Sequence, residues 1–312
     1  MGSSVRLAVK ALALLALALA VWGCGGKTVS QPSNNKPPAL QAKDDLGRTV
    51  SLVKAPQRIV CLAPNVTEIA FALGLDEKIV GVSEFSDYPP QAQQKPSLGR
   101  YDRPSIEKIV SLHPDLALLG YGNPQELSAA LERVGIVTFG VNPKNIHGIF
   151  DTIERIGIIC GVGPKARQLA DQLRKRLDGV NNKLVANPRS YRPKVFVLID
   201  EGSLWTAGSN TLQDEVLRLA GGRNIAADRS SYYQMSREAV FAAQPDLILV
   251  AGKPSQAAEI RKKVRARNDL AALPAVKANR IAVIDGDIFS RPGPRVVDAV
   301  EQLFTVLNQY SK

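Results

Sequence analysis

Histidine and cysteine are scarce in this chain, two and three residues respectively among 312. So few imidazole and thiol donors, with none at metal-ligand spacing, argue against a bound metal and disfavour a receptor for zinc or manganese. Aromatic residues make up only 5% of the chain, so several of them gathered in loops is informative. Absent as well are a Gly-x-Ser-x-Gly elbow, a phosphate-binding Gly-rich loop and a helical His pair, and with them the common signatures of hydrolytic enzymes. No apolar run approaches the ~20 residues that span a bilayer. The excess of positive charge, +11, has no nucleic-acid motif beside it. Its densest cluster, Arg261-Lys262-Lys263 with Arg265 and Arg267, reads as a solvated helix face, and no nucleic-acid partner is expected.

What is present begins with an export signal over residues 1–24. Arg6 and Lys10 precede the apolar run Ala11–Val21, and Gly23-Cys24-Gly25 follows. Eleven apolar residues suit a signal-peptide core. The Gly-Cys step looks like a bacterial lipoprotein cleavage site, which would leave Cys24 lipidated and the protein anchored to a membrane on its outer side, periplasmic or cell-surface. Trp22 departs from that pattern, in which a small residue precedes the Gly. The rival is ordinary cleavage nearby, leaving a soluble secreted protein. Residues 25–43, rich in Gly, Ser, Asn, Pro and Lys, read as a flexible tether. Cys61 and Cys160 sit in apolar segments and read as buried free thiols, although export would permit a disulfide.

The remainder, in a chain 45% hydrophobic and 22% charged, is long enough for two α/β lobes. Asp45–Val50 reads as a hairpin turning at Gly47. Strands are expected at 59–62 and 78–82, with a helix between them that Asn65 or Thr67 caps and Gly74 ends. Further alternation of helices and strands to Val141 argues for a parallel sheet covered on both faces. Pro164–Leu184 has the pattern of one long helix, Pro at its start, and the theme then resumes from Lys194 to a terminal amphipathic helix over 297–307. The expected fold is therefore two Rossmann-like lobes, residues 44–160 and 190–312, joined by a long rigid helix within 161–189, with a ligand cleft between them. A helical connector resists bending, so closure is expected to be modest.

One phrase occurs twice. Ser105-Ile106-Glu107 is followed after six residues by Pro114-Asp115-Leu116; Ser236-Arg237-Glu238 is followed after six by Pro245-Asp246-Leu247. The offset of 131 residues holds throughout, and apolar positions between agree: Ile109 with Val240, Val110 with Phe241, Leu118 with Leu249. Each copy reads as a short capped helix feeding a buried strand. Two lobes would each present one glutamate at an equivalent place.

Asp45-x-Gly47-Arg48, Pro64-Asn65-x-Thr67-Glu68, Asp87-Tyr88-Pro89-Pro90, the two Ser-x-Glu phrases and Arg291-Pro292-Gly293-Pro294-Arg295 resemble one family. It is the helix-linked (class III) substrate-binding proteins of ABC importers for vitamin B12, ferric siderophores and haem. The stretch Phe85–Gln93 is most similar to its vitamin B12 binders. The resemblance spans roughly residues 44–310. It implies a protein that is not an enzyme and has no cofactor, but carries a solute, cobalamin or another corrinoid, to an ABC permease dimer with its ATPase subunits.

By the same resemblance, Glu107 and Glu238 would dock on permease arginines; capping of each helix by its serine, with the glutamate at the positive helix end, is the plainer role. Phe85, Tyr101, Tyr121, Trp205, Tyr232 and Phe289 would line the cleft, with Asp287 and Arg291 reaching ligand amides. As a set the aromatics suit a large flat ligand. Arg100, Arg103, Arg229 and Arg291 keep anionic siderophores open. Haem is less suited, since His113 and His147 read as surface or capping residues. An exported hydrolase using the two glutamates is the remote alternative, and equivalent places on separate lobes would hold them too far apart.

Overall fold

The computed structural model describes residues 40–188 and 191–310. The expected signal peptide, Cys24 and most of the expected tether lie outside them. Leu40–Lys43, assigned to the tether from composition, instead forms strand β1, paired antiparallel with β2 (Thr49–Leu52). The turn between them carries Gly47 at φ +84°, in the region only glycine enters without strain.

The first lobe holds β3 (Ile59–Cys61), β4 (Ile79–Val82), the short antiparallel pair β5 (Gly99–Arg100) and β6 (Arg103–Pro104), β7 (Leu116–Leu119) and β8 (Val137–Gly140). The second holds β9 (Lys194–Leu198), β10 (Trp205–Ala207), β11 (Arg223–Asn224), β12 (Tyr232–Gln234), β13 (Leu247–Gly252) and β14 (Ile281–Asp285). The main sheets run β4-β3-β7-β8 and β11-β9-β13-β14, parallel throughout. Counted along each lobe, both have the order second, first, third, fourth.

Period-two burial divides the core in both lobes alike. Ile59, Cys61, Leu116 and Leu118 in the first sheet, with Val195, Val197, Leu247 and Leu249 in the second, point into one continuous core. Val60, Leu62, Ala117 and Leu119 face a separate outer cluster, as do Phe196, Leu198, Ile248 and Val250. Both faces being buried, the strands read as unbroken apolar runs. The central core also takes in the connecting helix Gly163–Ala186, which buries Ala166, Ala170, Leu173, Leu177 and Val180 along one stripe.

That helix is held to both lobes. Its Arg174 pairs with Glu154 of the first-lobe helix Ile146–Ile159 at 2.7 Å, and its Arg176 with Asp298 and Glu301 of the helix Val296–Asn308 at 2.5 and 2.6 Å. At Gly157 a Cβ would stand 2.1 Å from that of Ala166, so glycine is what lets the two helices touch. Cys61 and Cys160 are buried free thiols.

The duplicated phrase is a duplicated structure. Ser105 accepts from the Lys108 amide and Ser236 from the Ala239 amide, capping helices Ile106–Ser111 and Arg237–Ala243. His113 and Gln244, 131 residues apart, both adopt the left-handed conformation before proline. Asp115 then accepts from the amides of Gln57 and Arg58, and Asp246 from that of Lys194, tying each phrase to the start of its lobe's first strand.

Candidate functional site

The cleft is assembled from loops beyond the carboxyl ends of strands, where open parallel sheets expose backbone groups and bind ligands. Beyond β3 lie Pro64 and Asn65, beyond β4 Phe85, beyond β7 Tyr121, and beyond β14 Gly286–Pro292. Together with Arg100 and Tyr101 they enclose a cavity of about 400 Å³ walled by both lobes. A hollow of about 500 Å³, lined by Arg192, Lys194, Arg218 and Arg223, sits at the amino ends of second-lobe strands. It is formed by one lobe and has no aromatic wall, so it is not the cleft.

Three of the predicted aromatics meet here. Phe85 and Tyr101 pack edge to face with ring centroids 6.0 Å apart, and the Arg100 guanidinium lies 5.3 Å from the Phe85 ring centre. Gly122, at φ +88°, leaves the Tyr101 ring its space; a Cβ there would come within 2.6 Å of it. Asn123 stitches this wall together. Its amide donates to the carbonyls of Leu62 and Tyr101 at 2.8 and 2.6 Å, and its Oδ1 accepts from the Gly120 amide at 2.8 Å. Tyr121 is exposed at the rim.

Trp205 and Tyr232 stand outside the cavity lining, on one face of the two-stranded β10–β12 sheet, where Trp205 pairs with Gln234 and Tyr232 with Ala207. The Tyr232 hydroxyl donates to Gln213 at 2.8 Å, and Gln213 donates to Ser290 of the cavity wall at 3.1 Å. Burial, with the neighbouring Tyr121 phenol, raises the Tyr232 hydroxyl above the ordinary range.

Phe289 does not face the ligand cleft. It is fully buried in the central core. The short helix Gly286–Ser290 turns Ile288 and Phe289 inward and presents Asp287 and Ser290 to the cavity, a division that proximity in sequence could not supply.

Asp287 and Arg291 of the lining belong to a charged cluster that joins motifs more than 200 residues apart. Arg291 donates to Asp87 at 2.6 Å and pairs with Asp287 at 2.8 Å. It also reaches Glu68 at 3.3 Å. Arg295 holds Glu68 at 2.5 and 2.9 Å, and its guanidinium lies 3.8 Å from the Tyr88 ring centre. Glu68, Asp87-Tyr88 and Arg291–Arg295 thus converge. Burial pushes Asp87 up, but the Arg291 hydrogen bond and charge outweigh it and hold the carboxyl below the usual range. Asp287 goes the other way, because burial and the carboxylates of Asp87 and Asp285 outweigh its attraction to Arg291.

Neither Asn65 nor Thr67 caps its helix. Pro64 occupies the first turn, the helix Pro64–Ala72 starts after Ala63, and the Thr67 hydroxyl donates back to the Ala63 carbonyl. Asn65 and Arg100 also line the cavity; Arg100 is among the arginines expected for an anionic ligand, whereas Asn65 is expected only as a helix cap and as part of the Pro-Asn-x-Thr-Glu motif. Glu107 and Glu238 are exposed in the first turns of their capped helices. Among the described residues neither has an ion-pair or hydrogen-bond partner, and no helix is long and apolar enough to cross a membrane.

Residues 59–288 match the family model described as periplasmic binding protein. The chain is 30% identical over 300 residues to an uncharacterized ABC transporter substrate-binding lipoprotein, YvrC, of Bacillus subtilis, covering 93% of this chain and 94% of that one. The periplasmic vitamin B12 binding protein of Vibrio cholerae superposes with a TM-score of 0.71 at 34% identity, over 82% of this chain and 98% of that one. The periplasmic heme-binding protein RhuT of Roseiflexus sp. RS-1 gives 0.74 at 29%, over 82% and 99%. These relatives are solute-binding proteins rather than enzymes. With two lobes of matching topology, a connecting helix and a cleft between them, the chain belongs to the periplasmic binding protein family, in the helix-linked class that serves ABC importers.

Proposed function

We propose that the protein captures a corrinoid, most simply vitamin B12, outside the cytoplasmic membrane and delivers it to an ABC permease. The observation that carries this reading is the two-lobed cavity with Phe85, Tyr101 and Tyr121 on one wall and Asp287 and Arg291 on the other. Aromatic faces suit a flat macrocycle. Its cations are already matched, Arg100 by Asp102 at 2.9 Å and Arg291 by Asp87 and Asp287. A wall so nearly neutral favours a ligand rimmed with amides over an anionic iron chelate or a haem with its carboxylates. The vitamin B12 binding relative at 34% identity points the same way.

Glu107 and Glu238 supply the permease contact, one charge per lobe, exposed and, among the described residues, unpaired, as a docking residue should be. Trp205 and Tyr232 extend the aromatic surface beyond the cavity mouth. Cys24 carries the lipid anchor, in keeping with the description of the Bacillus subtilis relative as a lipoprotein.

Titrating the purified protein with cyanocobalamin by calorimetry tests the reading. One-to-one submicromolar binding is expected. No binding, with heat released instead on adding haem or a ferric siderophore, would replace the corrinoid and leave the family unchanged.

A further inference from the structure

Two asparagines flank Gly120, and they behave differently. Asn123 satisfies both ends of its amide within the protein. Asn65, at the cavity wall, satisfies neither: Nδ2 and Oδ1 are both buried without a hydrogen-bond partner, and the residue is 2% exposed. Among the described residues the only other buried side-chain nitrogen or oxygen in that condition is the Thr206 hydroxyl. Buried amides are ordinarily paired, since desolvating a donor and an acceptor without replacement is costly.

The surroundings keep the Asn65 amide in place without pairing it. A Cβ on Gly120 would stand 2.2 Å from Asn65 Oδ1, so the glycine is what leaves the amide room. The residue does no capping either. An unpaired buried amide on a residue that lines the cavity is accounted for by a partner that the amide meets when the cavity is filled.

We propose that Asn65 is a ligand-recognition residue whose amide pairs with a primary carboxamide on the rim of the bound molecule; this rests on the corrinoid reading above. The chemistry of the unmet groups selects that class. Asn65 offers an NH2 donor group and a carbonyl acceptor side by side, and a carboxamide answers both, its oxygen accepting from Nδ2 and its N–H donating to Oδ1. A carboxylate only accepts, so it leaves Oδ1 unmet and facing negative charge. Asn65 therefore discriminates between amide and acid forms of the same ligand.

The test compares the full chain with Asn65→Leu, which keeps the volume, and Asn65→Ala. Each is titrated with cyanocobalamin and with the cyanocobalamin monocarboxylic acids, in which one peripheral carboxamide is hydrolysed, and each is melted without ligand. Both variants are expected to bind cyanocobalamin about tenfold or more weakly, to melt no lower than the wild type, and to lose the wild type's preference over at least one monocarboxylic acid. Unchanged affinity in both variants overturns the role of Asn65 and leaves the corrinoid reading standing. A lowered melting temperature in both variants assigns Asn65 a structural role and also overturns it. Failure of the wild type to bind cyanocobalamin removes both readings together.

Discussion

Glu68 of the first lobe and Arg295 of the second form a two-point ion pair, with Arg295 Nη2 donating to Oε1 at 2.5 Å and Nε to Oε2 at 2.9 Å. Glu68 is almost wholly buried, and Arg291 adds a third contact to it. The pair joins the two lobes, and Arg291, which lines the cavity, ties it to the site. Removing one member of a buried pair leaves the other charge desolvated. Glu68→Ala is expected to lower stability by about 3 kcal/mol and to weaken ligand binding; a chemical denaturation midpoint equal to the wild type's would refute the structural role.

The Asp87–Arg291 pair predicts acid sensitivity. Because the folded state depresses the Asp87 carboxyl, its contribution is fully present above the unfolded value, about pH 3.9, and is lost as pH falls through the folded value. Asp87→Asn should flatten the acid limb of a stability-versus-pH curve below about pH 4. Parallel curves for the two proteins would assign the acid sensitivity to other carboxylates.

Aromatic contacts can be ranked by position. Tyr101→Ala removes a ring fixed against Phe85 in the cavity and should cost about 1–3 kcal/mol of ligand affinity. Trp205→Ala should cost a comparable amount only if the ligand extends over the β10–β12 face. Calorimetric titration of both variants separates the cavity from its surroundings: an unaffected Trp205→Ala confines the site to the cavity.

Docking and capture are separable. The double variant Glu107→Ala/Glu238→Ala keeps both serine caps and leaves the cleft untouched, so ligand affinity should persist while uptake into cells fails. Normal uptake by cells carrying the double variant would remove these glutamates from the permease contact.

Closure should be small, because the central core runs without interruption from one sheet through the connecting helix into the other. Wide opening would expose Leu173, Leu177 and their neighbours to water, each buried side chain of that size contributing about 1.5–3 kcal/mol. Amide exchange across 163–186 is therefore expected to stay slow with and without ligand. Fast exchange there in the free protein would indicate a hinge.

Periodicity and spacing alone determined the two lobes, the parallel sheets, the connecting helix and the duplicated phrase. These features follow from local rules, in which buried strands are apolar throughout, a serine caps a helix and proline or glycine limits it. Resemblance added the aromatic loops, and Phe85, Tyr101 and Tyr121 do line one cavity. Where composition was the only guide it failed by a few residues: Leu40–Lys43 pairs with a strand nine residues on, which no local preference announces. Phe289 and Asn65 depended on facing. A helix one turn long divides its residues between core and cleft according to what packs against it, and a proline one place earlier removed Asn65 from its expected cap. The meeting of Glu68, Asp87, Arg291 and Arg295, like the unpaired amide of Asn65 beside Gly120, was decided by tertiary structure alone, because charge matching and amide satisfaction depend on distances between segments that the chain itself keeps far apart.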